Sequence, residues 1–218
     1  MRRLLATGLA ILGLLATAPA ANAAPVPLEA GIQLTIGSSS RCVGGFNATS
    51  GGNYYLIIAD VCGSPGAAAR GGPGQVLIGT VSASGFPPSG YAVVRVTNLT
   101  NWQPAPLISR QSSGPALRIL GSTEAPVGAS VCMSSPVSGW SCGVVTAKNQ
   151  TIQYPDGTVV TGVTRTTLCV HPGELGAPVV AGQQAQGHII GGTASPSCTG
   201  YFKPINQVLP QLGLTLLT

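Results

Sequence analysis

Charged side chains are scarce in this chain, 7% of its residues, so solubility rests on Ser, Thr, Asn, Gln and the backbone. Aromatics are scarcer still, at 5%. The basic residues beyond the N-terminus (Arg41, Arg70, Arg95, Arg110, Arg118, Lys148, Arg165, Lys203) stand singly, without interleaved aromatics, which argues against a nucleic-acid groove. Histidine occurs only as His171 and His188, and neither completes a compact Cys/His cluster, so no metal and no cofactor are expected. Gly71-Gly72-Pro73-Gly74 is not followed by Lys-Ser/Thr and reads as a turn, not a phosphate loop.

What is present points to an exported β protein. Arg2 and Arg3, the apolar stretch Leu4 to Leu15, and Ala21-Asn22-Ala23 have the three-part pattern of a signal peptide cleaved after Ala23. The apolar stretch is too short for a permanent anchor, so no membrane span is expected after cleavage. The mature part carries eight basic and five acidic residues, a net charge of +3. Its six cysteines, in an exported chain, imply three disulfides, although six cysteines allow about 15 pairings.

With 31 Gly and 18 Pro, the chain reads as turn-rich β structure. Short runs of Val, Ile, Thr and Tyr recur between Gly, Pro, Ser and Asn, as at Tyr54 to Ala59, Gln75 to Val81, Tyr91 to Val96 and Val159 to Thr166. Pro155-Asp156-Gly157 is a hairpin signal, because proline presets one turn dihedral and glycine accepts a positive φ. Residues 98 to 116, with Pro104, Pro106 and Pro115, read as a connection between two halves. One short helix is expected from about Pro204 to Leu212, with Gly213 as its cap.

Several segments together resemble the bacterial chymotrypsin-fold serine proteases of the streptogrisin and α-lytic protease family. Ser40-Arg41-Cys42-Val43-Gly44-Gly45-Phe46-Asn47 is similar to the family's opening Arg-Cys-x-x-Gly-Phe-Asn. Val127-Gly128-Ala129-Ser130-Val131-Cys132 and Cys142-Gly143-Val144-Val145-Thr146-Ala147-Lys148-Asn149 resemble the α-lytic branch. Cys169-Val170-His171-Pro172-Gly173-Glu174-Leu175-Gly176-Ala177-Pro178 resembles the nucleophile loop, and Gln184 to Gly187 with Gly191-Gly192 the strand beyond it. The resemblance implies an all-β fold of two antiparallel six-stranded β-barrels with a short C-terminal helix. The expected division is signal peptide 1–23, N-terminal barrel 24–110, and C-terminal barrel with helix 111–218. The resemblance also implies the pairs Cys42–Cys62, Cys132–Cys142 and Cys169–Cys198.

The family's chemistry needs a hydroxyl nucleophile, an imidazole base and an orienting carboxylate. The resemblance puts the base at Val61, the carboxylate at Gly90 and the nucleophile at Leu175, so the triad is degenerate. Supporting positions differ too. Met133 stands where an arginine partner for Glu174 is expected, and Ile190 where a serine supports the triad. Loss of nucleophile or base alone costs such enzymes on the order of 10⁶ in turnover. The chain is therefore expected not to be an enzyme, with no catalytic residue and at most a remnant oxyanion turn at Gly173 and Leu175. The seven residues from Ala24 to Ala30 leave no room for an inhibitory pro-segment, which fits that expectation.

The expected role is a secreted or cell-envelope monomer that binds peptide or protein along Ile190-Gly191-Gly192 in the inter-barrel cleft, or serves as a disulfide-braced scaffold. One alternative is a hydrolase with relocated groups, using His171 and Glu174. Another is an envelope protein with no peptide-binding role. His188, on an apolar strand, is expected to be a hydrogen-bonded core residue.

Overall fold

Alternating and continuous apolar runs become strands in the computed structural model, which describes residues 24–38, 40–84 and 89–218. The signal-peptide reading of residues 1–23 and Pro88 lie outside the described residues. The N-terminal half contains β1 (Val26–Ala30), β2 (Gln33–Ile36), β3 (Ser40–Val43), β4 (Asn47–Ser50) and β5 (Asn53–Ile58). It continues through β6 (Ala68–Gly71), β7 (Val76–Ser84), β8 (Ala92–Val96), β9 (Trp102–Ile108) and β10 (Leu117–Arg118). The C-terminal half holds β11 (Ser130–Ser135), β12 (Gly139–Gln153), β13 (Val159–Thr166), β14 (Pro178–Ala181), β15 (Gln184–Thr193) and β16 (Thr199–Pro204). Helix α1 (Ile205–Leu212) and β17 (Thr215–Leu216) end the chain.

The C-terminal half closes into a six-stranded barrel in the order β11-β12-β13-β16-β15-β14. The N-terminal half forms a barrel-like sheet of eight strands, not six, in the order β17-β4-β5-β8-β7-β6-β2-β3. The difference comes partly from the chain end, where β17 adds antiparallel to β4 with Thr215 opposite Thr49. Local turn chemistry sets the hairpins. Gly51 and Gly52, at φ +54° and +76°, supply the paired positive dihedrals that let β4 fold tightly onto β5. In the β12–β13 hairpin, Tyr154 N–H donates to the Thr158 carbonyl at 2.7 Å, and Gly157 sits at φ +87°.

Residues 102–108 correct the sequence reading of a bare connection. They form β9, which pairs in parallel with β1 and carries β10 on its other side. Pro104 and Pro106 lack N–H groups, but β10 meets β9 only at Leu107 and Ile108. The buried Asn47 side chain stitches the ribbon to β4, donating to the carbonyls of Leu28 at 2.6 Å and Ala105 at 3.0 Å.

Helix α1 starts after an extended Pro204 and ends at Gly213 in the left-handed conformation, φ +62°. Ile205, Val208 and Leu209, at i, i+3 and i+4, are its buried face. Three disulfides brace the halves: Cys42–Cys62, Cys132–Cys142 and Cys169–Cys198.

Candidate peptide-binding cleft

A run of hydrogen bonds occupies the place where the resemblance puts base and carboxylate. Asp60 opens a short 3-10 turn, Asp60–Cys62, pinned to β3 by the Cys42–Cys62 disulfide. Its Oδ1 accepts the Val61 N–H at 2.8 Å and its Oδ2 accepts the Gly90 N–H at 3.0 Å. The Gly90 carbonyl in turn accepts a hydrogen bond from His188 Nε2 at 2.8 Å. A carbonyl only accepts, so Nε2 carries the proton and Nδ1 is the bare nitrogen. That Nδ1 is buried and without a partner among the described residues.

His188 is fully buried, as its place on an apolar strand suggests. Burial pushes its pKa down to about 4, with a smaller push from the Lys203 charge; the Gly90 bond and the Asp60 charge oppose it. The imidazole is therefore neutral at pH 7. Lys203 lies opposite His188 across β15 and β16, and its Nζ donates to the Thr161 carbonyl at 2.9 Å. Burial lowers the lysine's pKa as well.

Apolar side chains fill the seam between the halves. Ile190 is 1% exposed and joins Leu56, Ile58, Val94 and Val160 in one core cluster. Leu175 is partly buried and packs against that cluster and against the core of the C-terminal barrel. Its carbonyl accepts the Val43 N–H of β3 at 2.9 Å. The next residue, Gly176, sits at φ +90°, and a Cβ there would lie 2.1 Å from the Val43 carbonyl oxygen. Only glycine lets the nucleophile-type loop dock so closely. Val61, by contrast, is 56% exposed.

The open volume lies elsewhere. A cleft of about 850 Å³ is lined by Ile152, Tyr154, His171, Gly173, Leu175, Ile190, Gly191 and Gly192, among others. All of its lining residues come from the C-terminal half, so the cleft is not walled by both halves, as the sequence reading has it. Val61 and Gly90 do not line it; Leu175 and the Ile190–Gly192 segment do. Pairing of β14 with β15 reaches Pro178 opposite His188, and backbone bonding runs one residue further. The Ile189 N–H donates to the Ala177 carbonyl at 2.8 Å, and its carbonyl accepts the Gly176 N–H at 2.7 Å. Ile190, Gly191 and Gly192 follow and line the cleft. Gly173, at φ +92°, and Leu175 also reach the cleft.

The relocated acid–base pair is not assembled. Glu174 is fully buried, and its carboxylate accepts the His171 backbone N–H at 2.7 Å, not the imidazole. Its other oxygen accepts the Ser138 N–H at 3.1 Å and the Ser138 hydroxyl at 2.6 Å. Met133 stays in the core, so the loop carboxylate rests on neutral donors where the resemblance suggests an arginine. His171 lines the cleft by itself.

Sequence reasoning missed three contributors. Asp60 stands one residue before the base position in Ile58-Ala59-Asp60-Val61-Cys62, but motif spacing assigns the carboxylate to position 90. Tyr154 read as part of a hairpin, yet its hydroxyl donates to the Ile190 carbonyl at 2.6 Å. Ser138 carried no signal at all.

No family model matches the chain. Among curated proteins, streptogrisin-C of Streptomyces griseus is 41% identical over 182 residues, covering 83% of this chain and 39% of that protein. Glutamyl endopeptidase 2 of Streptomyces griseus is 30% identical, covering 83% of this chain and 95% of that protein. The chain spans less than two thirds of the first curated relatives it matches, 39% of streptogrisin-C and 47% of streptogrisin-D. Among solved structures, a Nocardiopsis protease superposes with a TM-score of 0.80 at 36% identity, covering 88% of this chain and all of that one.

These relatives overturn the expectation that the chain is not an enzyme, since they place it among serine proteases. The residues at three positions do not remove it from that class. What Leu175 excludes is narrower: a leucine has no atom that attacks a carbonyl, so residue 175 forms no acyl intermediate. By fold and by sequence, the chain belongs to the chymotrypsin-fold bacterial serine proteases of the streptogrisin and α-lytic protease type.

Proposed function

We propose that the exported, monomeric chain binds an extended peptide of neutral side chains through the main chain of Ile190, Gly191 and Gly192. The observation that carries this reading is the position of that segment. It lines the cleft just past Ile189, whose backbone bonds to Ala177 and Gly176. Extended peptides add to such a segment through backbone groups, which none of the side chains at 61, 90 and 175 is needed to supply.

The cleft's chemistry supports neutral partners. Among the described residues no Asp, Glu, Lys or Arg lines it. One relative's name describes cleavage at glutamate, but this cleft offers no lysine or arginine to pair an acidic side chain. Three disulfides among the described residues favour an oxidising compartment, in keeping with export. In this reading residues 24–110 and 111–218 are the two barrels of one unit, and the peptide site lies on the second. Calorimetric titration with blocked hexapeptides tests it. Saturable 1:1 binding of neutral peptides, weaker for Glu- or Lys-substituted ones, is expected; heats that never saturate would remove the reading.

A further inference from the structure

One side chain lies against the segment proposed to bind peptide. Tyr154, at the mouth of the β12–β13 hairpin, is partly buried and lines the cleft. Its hydroxyl donates to the Ile190 carbonyl at 2.6 Å. Its ring lies over Gly191: a Cβ built there would meet Tyr154 Oη at 3.8 Å and Cε1 at 3.9 Å. Ile190 is the extra residue of a bulge, with Ile189 opposite Phe202 and Gly191 opposite Tyr201, so it has no register partner on β16. One side chain thus covers two consecutive residues of the segment to which a peptide would add.

We propose that Tyr154 is a gate on the peptide-binding segment: its hydroxyl caps the Ile190 carbonyl and its ring occupies the face of Gly191, and an incoming peptide must displace it. This rests on the reading that the Ile190–Gly192 main chain binds peptide. A carbonyl that already accepts a short hydrogen bond is a poorer acceptor for a second donor, so the peptide exchanges one bond for another and gains little there. The hairpin is closed by the Pro155-Asp156-Gly157 turn, and Tyr154 hydrogen-bonds within it through its backbone, to Thr158 and Gly157, so its side chain can turn away from Ile190 without breaking those bonds. The gate is also held in its donating form. Burial, helped by the negative charges of Asp60 and Asp156, raises the phenol's pKa to about 12, so it keeps its proton throughout the physiological range.

The test compares wild type with Tyr154→Phe and Tyr154→Ala, using a blocked hexapeptide of Ala, Val and Gly residues as the probe. Tyr154→Phe keeps the ring and removes the cap, so the dissociation constant should fall by about 3- to 10-fold, the exchange value of one neutral hydrogen bond. Near-UV circular dichroism checks that the variant is folded. If wild type binds and Tyr154→Phe binds equally or more weakly, the tyrosine is an ordinary contact and the gate is overturned while the peptide site stands. If neither wild type nor the two variants bind, the peptide site and the gate fall together. A readout on the unmodified protein completes the test. Saturating peptide should move one phenol's ultraviolet titration from about 12 toward the ordinary value near 10, and an unchanged titration with bound peptide contradicts displacement.

Discussion

The carboxylate of Asp60 accepts the backbone N–H of Gly90 at 3.0 Å, so a carboxylate reaches the main chain of position 90 from the residue before Val61. The same carboxylate also accepts the exposed Val61 N–H, while the Gly90 N–H that it holds is partly buried. Asp60→Ala should lower stability by about 1–3 kcal/mol, chiefly through the charge-assisted bond lost from the partly buried Gly90 N–H. Urea unfolding of the two proteins measures it, and an unchanged midpoint would show that water replaces Asp60 without cost.

Returning the carboxylate to position 90 should not be neutral either. Gly90 sits at φ +77°, and a Cβ there would lie 3.3 Å from Ile190 Cδ1 and 3.4 Å from Val160 Cγ1. Gly90→Asp should cost about 1–3 kcal/mol through left-handed strain and crowding. Adding Ile190→Ser should relieve the crowding but not the strain, so thermal melts of the double variant should not recover more than part of the loss relative to Ile190→Ser alone.

His188 makes stability depend on pH. Its folded pKa of about 4 lies below its unfolded value of 6.5, so the unfolded chain binds the extra proton first. The contribution of neutral His188 is complete above about pH 6.5, and it is lost as pH falls toward 4, by at most about 3 kcal/mol. Unfolding free energies measured between pH 4 and pH 7 should rise with pH, with a shallower slope in His188→Leu. Equal slopes would assign the dependence to other groups.

The loop that carries Leu175 is anchored by Ser138 on Glu174. Ser138→Ala removes the hydroxyl bond to a fully buried carboxylate and should destabilise the protein by about 1–3 kcal/mol. Because the same carboxylate positions the His171 N–H, the amide resonance of His171 should shift in the variant. A silent His171 amide would mean that the loop is held by its contact with Val43 instead.

Much of the fold is legible in the residues because its signals are local. Pro155-Asp156-Gly157 marks its own hairpin, and Pro204 and Gly213 bracket the helix. What was illegible is non-local. Strand β9 hides behind Pro104 and Pro106, since its parallel partner β1 is some seventy residues away and the buried Asn47 bridges the two from a third strand. The extra strand β17 is invisible until the chain end returns to β4. At the site, motif spacing locates Val61, Gly90 and Leu175, but it says nothing of side-chain direction. That is why Glu174 looked able to serve the His171 ring, when burial turns its carboxylate to backbone donors.

The central claim is that the Ile190–Gly192 main chain binds extended peptide. Its most direct test is a titration of isotope-labelled protein with a neutral hexapeptide and with the same peptide N-methylated at alternate amides. Saturable shifts of the Gly191 and Gly192 amide resonances are expected with the first peptide, and a loss of affinity of about 10-fold or more with the N-methylated form that pairs toward this segment. Equal binding of both peptides, or shifts confined to residues away from Ile190–Gly192, would contradict it.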